Sequence, residues 1–398
     1  MSKRKLFLLI LTWILAAVAI LPAIFQWQPT PPATGHRAHL QFDFAYLIAL
    51  LITAWMYRVE RRRLTAPQAF GLVFLVFALT SVTNSVHRFY VDHASLYPPG
   101  SNLHWQIDLQ KNVIDLLPAV APHSYRFLPN ALVRWMEISG FSFDAARDVY
   151  RLLVGLLLFY AIYRYARLFT DYLGAVIALV LVATVYPISF EYYMGQLTDP
   201  LSHLSFVLAF IFLETNEFAF LLTTLILGSL AKETVLAMAG SYILFCRRDR
   251  EYLVKAAALC VGVIGAFAGV RMFVLRKASQ YKYEQVSGVS LAHLSANWHN
   301  GRWQAVLFLT VGVMTPFLVL AWRETPLALK RQVLFLFPVL FISSLFFSWL
   351  NEARNYMPVV FILAVVAGNY FGHVLSYPAA LKDSLLPLKA AESTDVGD

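Results

Sequence analysis

Charge is what this sequence has least of. Asp, Glu, Lys and Arg make up 14% of its 398 residues, against 59% apolar, where a soluble domain carries about 25% charged residues. That excludes an ordinary soluble enzyme. Short alternating strands are also missing, which excludes a transmembrane barrel. The two cysteines, Cys246 and Cys260, fall at the edge of and inside apolar runs, so no disulfide framework is expected. No Asn-x-Ser/Thr sequon occurs, which points to a bacterial envelope rather than an organelle lumen. No internal repeat is visible, which counts against a transporter built from duplicated halves.

What is present is a series of apolar runs of bilayer-spanning length. They predict an all-α polytopic bundle of about twelve transmembrane spans. These lie at 6–25, 41–57, 67–87, 148–164, 172–189, 200–214, 217–231, 234–246, 253–275, 303–321, 332–350 and 356–376. The first run follows "KRK" and contains "AVA", as a signal peptide would. It is longer than the usual apolar core of one, and reads as a retained span. The runs at 217–231 and 234–246 are short, and leave open one long helix or two.

The net charge of +9 does not indicate nucleic acid. With the N-terminus inside, the cytoplasmic loops and termini hold more than half of the 32 Lys and Arg, as the positive-inside rule requires. The long segments 88–147 and 276–302 then lie outside. Within the first, "LQKNVIDLLPAV" and "LPNALVRWMEI" each carry an apolar stripe too short to span. They read as interfacial helices, or as a small cap packed on the bundle. The last twenty residues read as a loose polar tail.

The outer ends of the spans collect ionisable groups: Asp92, Asp108, Arg126, Glu191, Asp199, Lys232, Glu233, Glu352 and Arg354. Each costs about 2.5–3.5 kcal/mol at a helix centre, so each needs a partner or a task. In "NEARNYMP", Glu352 and Arg354 point to opposite sides of a helix but to the same side of an extended turn, which Asn351 and Asn355 favour. Arg354 would be a guanidinium fork for a phosphate, or half of an internal ion pair. In "LAKETV", Lys232 is a second such cation beside Glu233, or a snorkelling lysine. In "GQLTDPL", Asp199 suits a helix N-terminus. The histidines of the outer segments, His36, His39, His87, His93, His104, His123, His293 and His299, show no tight metal-ligand spacing.

A further pattern runs through "HWQIDLQKNVIDLLPAVAPHSYRFLP", "QLTDPL", "LAKETVLAMAG" and "EARNYMP". An outer-loop acid precedes a Tyr-Arg-x-Leu-Pro run. An Asp at a helix start, a Lys-Glu pair and a Glu-x-Arg-x-aromatic-x-Pro element follow in order. This resembles the GT-C superfamily of integral-membrane glycosyltransferases, over roughly residues 88–376. The resemblance implies a GT-C-like catalytic core at 67–376, including the extracytoplasmic loop 88–147. An N-terminal two-span hairpin at 1–66 precedes it and a cytoplasmic polar tail at 377–398 follows. It implies a polyprenyl-phosphate sugar as donor and no certain cofactor. The acceptor would be a hydroxyl of a glycan, lipid or protein. Asp108 would be the base, with Asp92 in reserve. Arg354, Lys232 and Arg126 would hold the donor phosphate, supported by Glu352, Glu233 and Asp199. The chain departs from that pattern in two ways. Two spans precede the acidic loop, which brings in Asp43 as an alternative base, and the loop holds no tandem acidic pair. The implied location is the bacterial inner membrane, with the site facing outward. An O-antigen-type polymerase or ligase using a lipid-linked glycan, a secondary transporter and a non-catalytic envelope subunit are the alternatives.

Overall fold

The structure, a computed structural model, describes residues 2–25, 27–32, 34, 36–92, 125–190, 197–245, 251–277 and 291–392. Every described element is helical. The first three helices are α1 (Lys3–Ile24), α2 (His36–Glu60) and α3 (Ala66–Asp92). After residues outside the description come α4 (Phe127–Ile138), α5 (Phe143–Ala166) and α6 (Tyr172–Val185), the last running into a 3₁₀ turn at Tyr186–Phe190. Then follow α7 (Thr198–Glu214), α8 (Phe218–Ala231), α9 (Ala237–Phe245) and α10 (Tyr252–Lys277). The last group is α11 (Leu291–His299), α12 (Arg302–Leu307), α13 (Thr315–Leu320), α14 (Leu327–Phe347) and α15 (Met357–Glu392). Six of the apolar segments are long and apolar enough to cross a membrane: Lys3–Pro22, Ala66–Phe89, Tyr172–Phe190, Tyr252–Met272, Leu327–Phe347 and Met357–Leu375.

Local sequence explains where the helices start and stop. Ser142 accepts from the Ala145 N–H to cap α5, and Asp171 accepts from the Gly174 N–H at 2.7 Å to cap α6. The reversal between α7 and α8 uses Asn216 in the left-handed region (φ 54°). There the Glu217 N–H reaches back to the Phe212 carbonyl at 2.9 Å. This is the hydrogen-bonding pattern by which an αL residue closes a helix. Gly140 (φ 93°) ends α4 in the same way, with the Phe141 N–H bonded to the Met136 carbonyl.

Polar contacts sort the helix termini into two ends. At one end Lys5 pairs with Glu217, and Glu60 accepts from Tyr160 at 2.7 Å and from Arg164 at 3.2 Å. There too Gln332 bridges Tyr165 and Glu214, each at 2.7 Å. The start of α1 and the ends of α2, α5 and α7 therefore share this end with the starts of α8 and α14. We call it the basic end, because the Arg61–Arg63 run also lies there. The runs at 217–231 and 234–246 are two antiparallel helices. The rings of Phe218, at the start of α8, and Tyr242, near the end of α9, lie 5.6 Å apart, so the chain reverses at Lys232–Glu233.

The core is densest where α15 packs on α6. Both helices are small-sided there: a Cβ on Gly174 would stand 2.6 Å from the Gly368 carbonyl oxygen, and one on Gly368 would strike the Gly174 carbonyl. Close approach of this kind is how helices associate where the hydrophobic effect does not drive them together. The striped segment 128–138 forms α4, whose apolar face is buried against protein. Phe127, Leu128, Ala131 and Val133 are all buried, and Trp135 donates to the Val18 carbonyl of α1 at 2.9 Å. The packed cap is therefore the arrangement found for this segment. Its partner, 109–120, lies outside the described residues. α1 packs on α4 and α8, and α2 on α3 and α5. Helix α15 continues to Glu392 without a break at 377, where a loose tail was expected.

Gly368→Val is expected to push α6 and α15 apart. An overpacked contact of this sort costs about 1–3 kcal/mol. A lower thermal midpoint of the detergent-purified protein by static light scattering, with Gly265→Val unchanged because nothing lies near that position, is the result that checks it.

Candidate functional site

At the end opposite the basic one, several elements stop being helical at one level. α6 gives way to 3₁₀ at Tyr186, α8 stops at Lys232 in extended backbone (φ −160°, ψ 132°), and α14 stops at Ser348. After a short non-helical stretch, the 3₁₀ turn Ala353–Asn355 leads into α15. Broken helices leave backbone groups that an apolar medium cannot satisfy, so side chains must do it. Asn297 of α11 does much of this. Its amide donates to the carbonyls of Ser344 (3.0 Å), Leu345 (3.1 Å) and Ser348 (3.0 Å), and its oxygen accepts from the Leu350 N–H at 2.7 Å.

The charged residues meet among these breaks. Asp199, in the first turn of α7, accepts from Lys232 Nζ at 2.9 Å through one oxygen and from Arg354 Nη1 at 3.2 Å through the other. Glu352 Oε2 accepts from Arg354 Nε at 3.0 Å and Nη2 at 2.9 Å. Asn355 ties the two halves together, accepting from Lys232 at 3.0 Å and donating to Glu352 at 3.1 Å. The Lys232 and Arg354 side chains are each 3% exposed and Glu352 is 2% exposed. Beside this node, Arg126 grips Glu233 with a two-point contact, Nη2 to Oε1 at 2.8 Å and Nε to Oε2 at 3.3 Å. Glu233 is the most open of these carboxylates, at 29%.

An imidazole underpins the turn. His203 is one helical turn after Asp199 on α7, and its Nε2 lies 3.0 Å from the Arg354 carbonyl oxygen. A carbonyl can only accept, so Nε2 carries the proton. In the neutral ring Nδ1 then accepts from the Tyr186 hydroxyl at 3.1 Å. A narrow groove opens beside Tyr186, lined also by Thr83, Asn84, Arg151 and Phe190. The Arg151 guanidinium lies 5.1 Å from the centre of the Phe190 ring.

The structure thus joins Asp199, Lys232, Glu352 and Arg354 in one cluster, with the Arg126–Glu233 pair next to it. Glu352 and Arg354 do pair with each other, but not within an extended turn: Glu352, in extended backbone, caps the 3₁₀ turn Ala353–Asn355 that carries Arg354. Asp199 spends both oxygens on Lys232 and Arg354, so helix capping is not its task here. Asp43 is exposed on α2. Asp108 and Glu191 lie outside the described residues. Asp92 is the last residue of α3, with its side chain outside the description. Among the described residues no group of three or more His, Cys, Asp or Glu could hold a metal ion. Sequence reasoning missed His203, whose signal was its place four residues after Asp199. It also missed Asn297, Ser344 and Ser348, which have no signal at all in a single sequence.

No family model, no curated protein and no solved structure matches this chain.

Removing one member of a buried ion pair leaves the other uncompensated and costs about 3–5 kcal/mol, whereas removing both together costs far less. Arg354→Met is therefore expected to lower the thermal midpoint sharply. In the background of Asp199→Asn with Glu352→Gln, its added effect should fall below about 1 kcal/mol. Additive losses in this double-mutant cycle would mean that the charges are not coupled.

Proposed function

We propose that this chain is an integral-membrane glycosyltransferase that moves a sugar from a polyprenyl-phosphate donor to an acceptor hydroxyl. One observation carries the reading. Lys232 and Arg354, 122 positions apart by number, share the carboxylate of Asp199 at one end of a helical bundle. On this reading the shorter apolar helices also cross the membrane, giving about twelve passes of the GT-C type. α8 has 14 residues, about 21 Å of helix, against a hydrocarbon thickness of about 30 Å. A hairpin of that reach puts Lys232 below the far lipid boundary, level with a phosphate drawn in from a lipid. The excess of Lys and Arg at the opposite end favours that end as cytoplasmic. The bacterial inner membrane, with the node facing outward, is the corresponding location.

The chemistry would run as follows. The acceptor hydroxyl attacks the anomeric carbon, a carboxylate takes its proton, and the lipid phosphate leaves with the bonding electrons. The sugar passes through an oxocarbenium-like state. Charge grows on the departing phosphate, and cations already held in place stabilise it without reorganising. Lys232 donates to Asp199 and Asn355, which leaves one ammonium N–H for a phosphate oxygen. Arg354 and Arg126 would supply guanidinium forks as their carboxylate partners yield. Asp108 stays the proposed base and Asp92 the reserve.

The charge balance of the node favours a second reading. Lys232, Arg354 and Arg126 face Asp199, Glu352 and Glu233, three cations against three carboxylates. Such a neutral set can hold helix ends together with no substrate at all.

The two readings separate in an assay of sugar transfer from polyprenyl-phosphate donors in proteoliposomes. The transferase reading expects activity in the wild type. It expects a loss of about 10²-fold or more in Lys232→Arg, which keeps the charge but moves the donors, with little change in thermal midpoint. Full activity in both Lys232→Arg and Asp108→Asn would leave the structural reading standing.

A further inference from the structure

Toward its far end α10 carries three cations, Arg271, Arg276 and Lys277, of which Arg271 alone has its side chain among those described. The start of α10 lies at the basic end, where Tyr252 donates to the Ile243 carbonyl and stacks on Tyr242 at 6.2 Å. Arg271 therefore lies toward the end that holds the acid–base node. A lipid-facing arginine at such a position extends outward, so that its head reaches water. Arg271 does the opposite. Its guanidinium carbon lies 3.5 Å from the centre of the Phe267 ring, one turn or about 6 Å deeper along the helix. Tyr125 also lies against it, its ring centre 4.5 Å away. Two aromatic faces attract the cation, but a ring face does not satisfy N–H donors that lie in the guanidinium plane. Nη1 is buried and has no hydrogen-bond partner among the described residues, and no carboxylate pairs with the group there. A cationic donor left unsatisfied at this depth has a ligand chemistry of its own: a phosphate oxygen.

Placement agrees with the chemistry. Tyr125 directly precedes Arg126, which holds Glu233 beside Lys232. Val270 packs with Leu128 and Leu230, the latter two positions before Lys232. Arg271 thus stands at the flank of the node, between α10 and the start of α4. Among the described residues, and unlike Arg126, Lys232 and Arg354, it is paired with no carboxylate.

We propose that Arg271, held against the rings of Phe267 and Tyr125, is a second anion site that takes a lipid-borne phosphate at the flank of the bundle. The site holds the phosphate of an amphiphile through the guanidinium while the two rings hold the cation. It does not depend on sugar transfer, and it is tested by binding alone.

The test uses the full chain in neutral phosphatidylcholine nanodiscs. Binding of farnesyl phosphate is measured by native mass spectrometry, with inorganic phosphate and farnesol as comparison ligands. Wild type should retain farnesyl phosphate and not farnesol. Arg271→Gln should weaken retention about tenfold or more, while Lys255→Gln, at the other end of the same helix where Lys255 pairs with Glu251, leaves retention unchanged. Competition by millimolar inorganic phosphate would show that the phosphate group alone is recognised. Lack of competition would show that the chain anchors it, and either result supports the site. Equal retention by wild type and Arg271→Gln overturns the proposal, as does retention of farnesol as strong as that of farnesyl phosphate. Should Arg271→Gln fold poorly, phenylglyoxal labelling of the wild type decides. Farnesyl phosphate must protect the Arg271 peptide from modification, and unchanged labelling overturns the proposal.

Discussion

The carboxylate of Asp199 is the interaction on which the end of this bundle opposite the basic one depends. It is the shared counter-charge of Lys232 at the α8–α9 reversal and of Arg354 in the turn before α15. Burying either cation alone in an apolar bundle would be prohibitive. Burying both against one carboxylate, with Glu352 and Asn355 completing the set, makes the interruption of several helices tolerable at one level. The breaks and the charges explain each other. Helices that stop inside a bundle need polar partners, and polar side chains inside a bundle need helices that stop.

That mutual dependence also sets what the node can do. A neutral, mutually bonded set is rigid, and rigidity is the property that a site for a developing phosphate charge requires. Rigidity by itself is equally the property of a structural knot. The groups that would distinguish the two are those whose charge is not already spent. The third N–H of Lys232, the more open carboxylate of Glu233 and Arg271 against its two rings are of this kind. Glu233 and Arg271 both lie on the side of the node toward the start of α4, where Arg126 holds the one and Tyr125 meets the other.

Much of the fold was legible because apolar runs of this length permit little besides helices. Each expected segment contains helix, and the doubt over 217–246 was resolved by one ring contact, Phe218 on Tyr242. What could not be read was how the helices associate. The Gly174–Gly368 approach pairs two glycines nearly two hundred positions apart, and nothing in either local sequence marks the other. The same holds for α4: its stripe was plain, but a stripe says only that a face is buried, not whether lipid or α1 buries it.

The site was legible to the extent that ionisable residues are out of place in a greasy chain. Lys232, Glu233, Glu352, Arg354, Asp199 and Arg126 could be picked out because each is costly where it stands. Beyond Glu352 with Arg354, their pairing could not be, since Asp199 suits a helix N-terminus whether or not two cations reach it. The neutral partners were invisible for the converse reason. Asn297 and His203 cost little in a helical sequence, yet they hold the carbonyls of Ser348 and Arg354 and so fix the turn that aims the guanidinium. Arg271 falls between these cases. It is as costly as the node residues, but it lies inside a long apolar helix rather than in a motif, and only its position over Phe267 separates it from a headgroup anchor. In a membrane bundle, then, cost identifies the residues that need an explanation, and only the direction of the side chain says which explanation applies.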